Sequence, residues 1–151
     1  ENFTMRDILK EIITSFKETS NKKFVLNFDQ DLNSKKMTRS IEIVYGLRNF
    51  IGNANKYSNK KIFVDLKSNS EITEIKIQDD GIGYPTDVLS KIGEPYLKSF
   101  YNKSKAGLGL GIFIGKNLLE KNFASINCRN SKSISGAEVI IKWNNNNLYK
   151  I

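Results

Sequence analysis

The chain has 151 residues, is 39% hydrophobic and 11% aromatic, and carries 24 Lys and Arg against 16 Asp and Glu, for a formal net charge of +8. That is enough apolar material for one globular core and too much for a disordered chain, and the lysines are scattered rather than gathered with aromatics on one element, which argues against a nucleic-acid partner. With no histidine and one cysteine, the chain excludes His-based acid–base catalysis, His-ligated metals, a Ser-His-Asp triad and an internal disulfide.

Thr4 to Lys17 places Ile8, Leu9, Ile12, Ile13 and Phe16 at helical spacing, and Thr4 with Asp7 suits a capping box. Lys23 to Phe28 alternates as a strand, and Ser40 to Tyr57 reads as a second helix. Ile62 to Leu66 and Ile72 to Ile77 read as strands around a turn at Ser68-Asn69-Ser70. A short helix is expected near Asp87 to Ile92, a third long helix from Gly107 to Asn122, and a closing strand pair at Ser125 to Arg129 and Ala137 to Trp143. Between Gly83 and Gly107 little periodicity survives, and a stretch of that kind is usually functional or mobile. No apolar run approaches the roughly 20 residues that span a bilayer, and no signal-peptide pattern opens the chain. Glu1-Asn2-Phe3 lacks a start methionine, so a fragment or a processed chain is expected. Cys128 falls in a strand, where a buried, inert thiol is the default.

Three motifs carry chemistry. On the second helix Ile43, Leu47, Phe50, Ile51 and Ala54 form an apolar stripe, while Asn49, Asn53 and Lys56 share a polar edge with Tyr57 at its border. Asn supplies a neutral oxygen to a hard cation, Lys a point charge to a phosphate, and Tyr a ring to pack on a base or sugar. The alternative is an ordinary solvated helix edge, although Gly52 beside Asn53 hints at a close approach. Next, Gln78-Asp79-Asp80-Gly81-Ile82-Gly83 runs from a strand end into a glycine-rich turn. A carboxylate at Asp79 can accept a hydrogen bond from an exocyclic amine, whereas the plain alternative is an Asp-Gly turn. Last, Gly107-Leu108-Gly109-Leu110-Gly111 opens the third helix, where loop N–H groups and a helix N-terminus favour phosphate; the alternative is close helix–sheet packing. The spacing fits neither the P-loop nor the Rossmann fingerprint.

In that order the motifs resemble the N, G1 and G2 boxes of the GHKL ATPase superfamily, over roughly Ser40 to Trp143, and most of all those of bacterial sensor histidine kinases. Asp80-Gly81-Ile82-Gly83-Tyr84-Pro85 followed by Ile92-Gly93-Glu94-Pro95-Tyr96 resembles the redox-responsive RegB/PrrB/ActS type. The resemblance implies an α/β (α+β) two-layer sandwich, the Bergerat fold, with three main helices on one face of a mixed, mostly antiparallel sheet. It implies a single ATP-binding catalytic domain over 1–151, with an ATP lid at 84–106.

By the same resemblance Asn53 binds Mg²⁺, Lys56 touches phosphate, Tyr57 lines the nucleotide site, and Asp79 recognises the adenine amine. Gly81, Ile82 and Gly83, with Gly107, Leu108, Gly109, Leu110 and Gly111, border ATP. Asn49 stands where hydrolytic members carry a glutamate base, and an amide cannot take a proton at neutral pH. The expected activity is therefore transfer of the γ-phosphate to a histidine on a separate dimerisation domain, then signalling through a response regulator. A cytoplasmic, monomeric fragment is expected, with no direct membrane contact and no autophosphorylation alone. A hydrolytic ATPase or a degenerate nucleotide-binding module are the alternatives.

Overall fold

A computed structural model of the chain describes residues 2–92 and 108–151, and of Leu108, Gly109 and Leu110 the backbone alone. Five strands form the main sheet: β2 (Lys23–Asp31), β4 (Lys61–Ser68), β5 (Ile72–Asp79), β6 (Ser125–Asn130) and β7 (Ala137–Asn144). Their order is β2-β4-β5-β7-β6. β2 and β4 run parallel and every other pairing in this sheet is antiparallel. Two short strands, β1 (Asn2–Phe3) and β3 (Met37–Thr38), pair beside it.

A parallel pair cannot be joined by a hairpin and needs a crossover. Helix α2 (Ile41–Tyr57) is that crossover between β2 and β4. It starts on Ser40, whose hydroxyl accepts from the Ile43 N–H, and its last carbonyls are met by Lys22, whose Nζ donates to the Asn55 and Ser58 carbonyls at 2.7 and 2.8 Å. An ammonium at a helix C-terminus complements both the orphan carbonyls and the helix dipole. The five-residue apolar stripe of α2 is buried, with Leu47 and Ile51 at 0% exposure. Helix α1 (Met5–Lys17) opens with the expected Thr4–Asp7 capping box and buries Ile8, Leu9, Ile12 and Ile13. Helix α4 (Leu108–Lys121) lies against α2. Gly46 and Gly115 permit the contact, since a Cβ on Gly115 would sit 3.2 Å from the Gly46 carbonyl oxygen. The approach at Gly52 is the ring of Phe16 on α1. The short helices are α3 (Thr86–Ile92) and α5 (Asn145–Leu148).

The result is the expected two-layer α/β arrangement, with a mixed sheet carrying its helices on one face. Strand alternation makes that face: Ile62, Val64 and Leu66 on β4, Ile75 and Ile77 on β5, and Val139, Ile141 and Trp143 on β7 are all buried in one core. Asp79 takes the next inward position after Ile75 and Ile77, so a carboxylate is carried on the apolar side of the sheet.

Candidate nucleotide site

The end of α2, the end of β5, the turn that follows it and the start of β7 enclose a cavity of about 180 Å³. An apolar cavity of about 150 Å³ suffices for benzene, so a flat heteroaromatic ring is of the right order. Its walls are largely apolar, from Phe50, Ala54, Ile77, Val139, Ala137 and Pro85, with Ile82, Gly83 and Tyr84 along the turn side. Polar groups enter at three points, Asn53, Tyr57 and Asp79.

Asp79 is 4% exposed. Its Oδ1 accepts from the Gly81 N–H at 2.8 Å and the Ala137 N–H at 3.3 Å, while no described residue donates to Oδ2. Burial pushes the Asp79 carboxyl above its ordinary value, a shift only partly opposed by the two backbone hydrogen bonds. Asp80 shows the opposite balance. Burial raises it too, but the backbone N–H groups of Lys60, Lys61 and Asn59 converge on its carboxylate and hold it below the ordinary value. Asp80 thus ties down the chain after α2, whereas Asp79 keeps one acceptor for something else.

Two buried polar atoms are left without a partner among the described residues, Asn53 Nδ2 and Tyr57 Oη. Such atoms are rare, because each costs its desolvation unless water or a ligand meets it. Both belong to residues lining the cavity. Gly111 of α4 stands against the two asparagines of α2: a Cβ there would lie 3.4 Å from Asn53 Oδ1 and 3.8 Å from Asn49 Oδ1.

Of the residues singled out from sequence, Asn53, Tyr57, Asp79, Ile82 and Gly83 line the cavity. Gly81 buttresses it, since a Cβ would fall 2.1 Å from the Tyr57 carbonyl oxygen. Asn49 lies one turn back from Asn53 with its Nδ2 donating to the Tyr45 carbonyl at 2.9 Å, and does not line the cavity. Neither does Lys56, which is exposed and holds its Nζ 5.3 Å from the centre of the Tyr57 ring. Ile82 is 94% exposed, so its contribution is to the rim. Gly107 and the lid stretch beyond Ile92 lie outside the described residues, as do the side chains of Leu108 and Leu110; Gly109 is described by its backbone only.

The family description "Histidine kinase-, DNA gyrase B-, and HSP90-like ATPase" matches residues 38–146. The chain belongs to this ATPase family. Within it, the chain is 33% identical over 100 residues to the sensor histidine kinase RegB of Cereibacter sphaeroides, covering 62% of this chain and 22% of that protein. It is 30% identical over 97 residues to the sensor protein kinase PilS of Pseudomonas aeruginosa, covering 60% of this chain and 18% of that one. The matches therefore span about a fifth of the length of these curated relatives. Among solved structures, the catalytic domain of histidine kinase ThkA superposes with a TM-score of 0.75 at 20% identity, over 95% of this chain and 96% of that one. The mycobacterial sensor histidine kinase MprB gives 0.72 at 19%, over 95% and 96%. Sequence likeness thus points to sensor kinases within the ATPase family, and the structural likeness supports the fold.

Several residues lining or bordering this cavity escaped the sequence reading. Ala137 and Val139 look like any strand alternation, and Tyr84 and Pro85 like a helix start. Gly136 precedes a strand without belonging to a motif. Yet its φ is +120°, and a Cβ there would lie 2.0 Å from the Asp79 carbonyl oxygen. Both the backbone conformation and the space demand glycine. Gly136→Ala is expected to destabilise the fold by about 2–4 kcal/mol, lowering the thermal midpoint by several degrees, and a midpoint within error of wild type would contradict this packing. Cys128, read as inert, is half-buried; burial pushes its thiol up to about 12, against a hydrogen bond with Tyr84. It is protonated at neutral pH and a poor nucleophile.

The residues fit a magnesium nucleotide on their own chemistry. Among the described residues no cluster of three acidic, His or Cys groups could hold a metal alone, and Mg²⁺ commonly takes few protein oxygens and completes its shell with phosphates and water. The Asn53 amide meets that pattern. No helix among the described residues is long and apolar enough to cross a membrane.

Proposed function

We propose that the chain binds Mg-ATP with the purine in this cavity and the phosphates running towards the α2–α4 seam, and that it passes the γ-phosphate to a histidine on a separate dimerisation domain of a two-component sensor kinase. The observation that carries the reading is the Oδ2 of Asp79, which accepts from no described residue, in a largely apolar, ring-sized cavity. A purine amine donates where that acceptor waits, and the apolar walls cover the ring faces. Tyr57 Oη and Asn53 Nδ2, both without a partner among the described residues, lie towards the sugar and phosphates. Gly111 lets the α4 backbone approach Asn53.

Asn53 would hold the Mg²⁺, which would supply neutralisation of the phosphate charge when bound. Lys56, reaching over Tyr57 from the helix end, adds a positive charge beside the phosphates. Asn49 occupies the position one turn before Asn53, and its amide can orient but not deprotonate a nucleophile. Asn49 therefore does not activate water. An imidazole attacks without needing a base, forming the N–P bond as the bond from the γ-phosphorus to the β,γ-bridging oxygen breaks and ADP leaves. The chain has no histidine, so the acceptor comes from another domain. In this reading the chain works at the cytoplasmic end of a membrane sensor, is monomeric as this fragment, and serves a downstream response regulator.

The test is radiolabelled ATP given to the chain with and without a histidine-bearing dimerisation domain. Label is expected on that domain alone, dependent on Mg²⁺ and labile to acid. Steady release of inorganic phosphate by the chain by itself would overturn this in favour of a hydrolytic ATPase.

A further inference from the structure

We infer that Asn130, the last residue of the edge strand β6, is a positioning residue for the nucleotide, acting by clasping the turn that walls the cavity. Its side-chain amide makes two hydrogen bonds to one residue: Oδ1 accepts from the Tyr84 N–H at 2.7 Å and Nδ2 donates to the Tyr84 carbonyl at 3.2 Å. A side-chain amide that satisfies both backbone groups of a single residue imitates a strand neighbour. It fixes the peptide planes on either side of Tyr84, in a turn that receives no sheet ladder of its own. The preceding residue is shaped to admit the clasp. Gly83 has φ +85°, and a Cβ there would lie 2.6 Å from Asn130 Oδ1, so its glycine is required both by conformation and by this amide.

Just past Asn130 the Ser131 N–H donates to the Gly136 carbonyl at 2.9 Å, and the Ala137 N–H donates to Asp79 Oδ1. One hairpin therefore grips two walls of the cavity: the turn through Asn130 and the Asp79 carboxylate through Ala137. Gly83, Tyr84 and Pro85 all line the cavity, so freeing the turn loosens the wall that the ring faces while leaving Asn53 and the phosphate end untouched.

This rests on the nucleotide reading above, and the experiment separates the two. Asn130→Ala is compared with the unaltered chain by hydrogen exchange without ligand, by thermal unfolding, and by calorimetric titration with ADP and with Mg-ATP. Exchange at the Tyr84 N–H is expected to accelerate at least tenfold in the ligand-free variant, with the unfolding midpoint lowered by no more than about 4 °C. Both nucleotides are expected to lose affinity by the same factor, about tenfold, because the loss is at the base end. Asn130→Asp keeps the acceptor and loses the donor, and is expected to fall between the two in exchange rate. An unchanged Tyr84 exchange rate overturns the clasp whatever the chain binds. Affinity equal to wild type, or a loss confined to Mg-ATP, overturns the positioning role. Failure of the unaltered chain to bind either nucleotide would instead count against the nucleotide reading, and with it the role inferred here.

Discussion

Asp79→Asn is expected to reduce ATP affinity about a hundredfold or more while leaving the ligand-free fold at least as stable as before. The binding loss follows from donors and acceptors. In the wild type Oδ2 is an acceptor facing the cavity; an amide nitrogen in its place faces an exocyclic amine with a second donor. Losing a charge-assisted hydrogen bond and leaving the amine unpaired is worth about 3 kcal/mol, which is about two decades in affinity. Calorimetry measures it, and equal affinity in the variant would remove Asp79 from base recognition.

The stability gain follows from burial. Oδ1 of an asparagine still accepts from Gly81 and Ala137, but no charge is held away from water. Because the folded-state pKa of Asp79 is raised, chiefly by desolvation, the folded chain binds a proton that the unfolded chain has released, over the window between the two values. Stability contributed by this group falls as pH rises through that window and stays lower above it. The variant is therefore expected to gain on the wild type as pH rises from acid to neutral, with a higher unfolding midpoint at neutral pH. Alanine would confound the measurement, since it leaves two backbone N–H groups without an acceptor at about 1–3 kcal/mol each.

Asn53→Ala is expected to abolish most of the gain in affinity that Mg²⁺ confers on ATP while changing metal-free ADP binding little. Asn53 is mid-helix, where an asparagine is mildly unfavourable, and its Nδ2 is buried with no partner among the described residues. Removing it relieves a desolvated amide, so the ligand-free fold should not weaken. What is lost is an oxygen for a hard cation and an amide beside Gly111. A tenfold loss, equivalent to about 1.4 kcal/mol, is the smallest effect consistent with that role. Titrations across a range of Mg²⁺ read it, and an undiminished response to the metal would take Asn53 out of the metal site.

These two substitutions concern residues legible in sequence, and the reason is local. The buried stripe of α2 follows from a period of 3.6 residues, which leaves Asn53 and Tyr57 on its margin. The inward parity of β5 follows from a period of two, which makes Asp79 the residue after Ile75 and Ile77 on the core face. The capping of α1 by Thr4 and Asp7, and of α2 by Ser40, is likewise written within one turn of chain. What the sequence does not show is how Asp80 is occupied: the backbone amides of Asn59, Lys60 and Lys61, leading into β4, take its carboxylate, while that of Asp79 lines the cavity.

Local pattern thus established the three long helices, the short α3, the five strands of the main sheet and which of their side chains face inward, because those depend on dihedral periodicity alone, whereas β1, β3 and α5 are too short to show a period. Only the folded chain brought Gly136 against Asp79, Asn130 onto Tyr84, Lys22 onto the end of α2 and Gly111 beside Asn53. Each is a contact across elements. None leaves a periodic trace, because a single glycine, amide or ammonium meets its partner only after the α2 crossover and the β6–β7 hairpin have closed the sheet around a shared core.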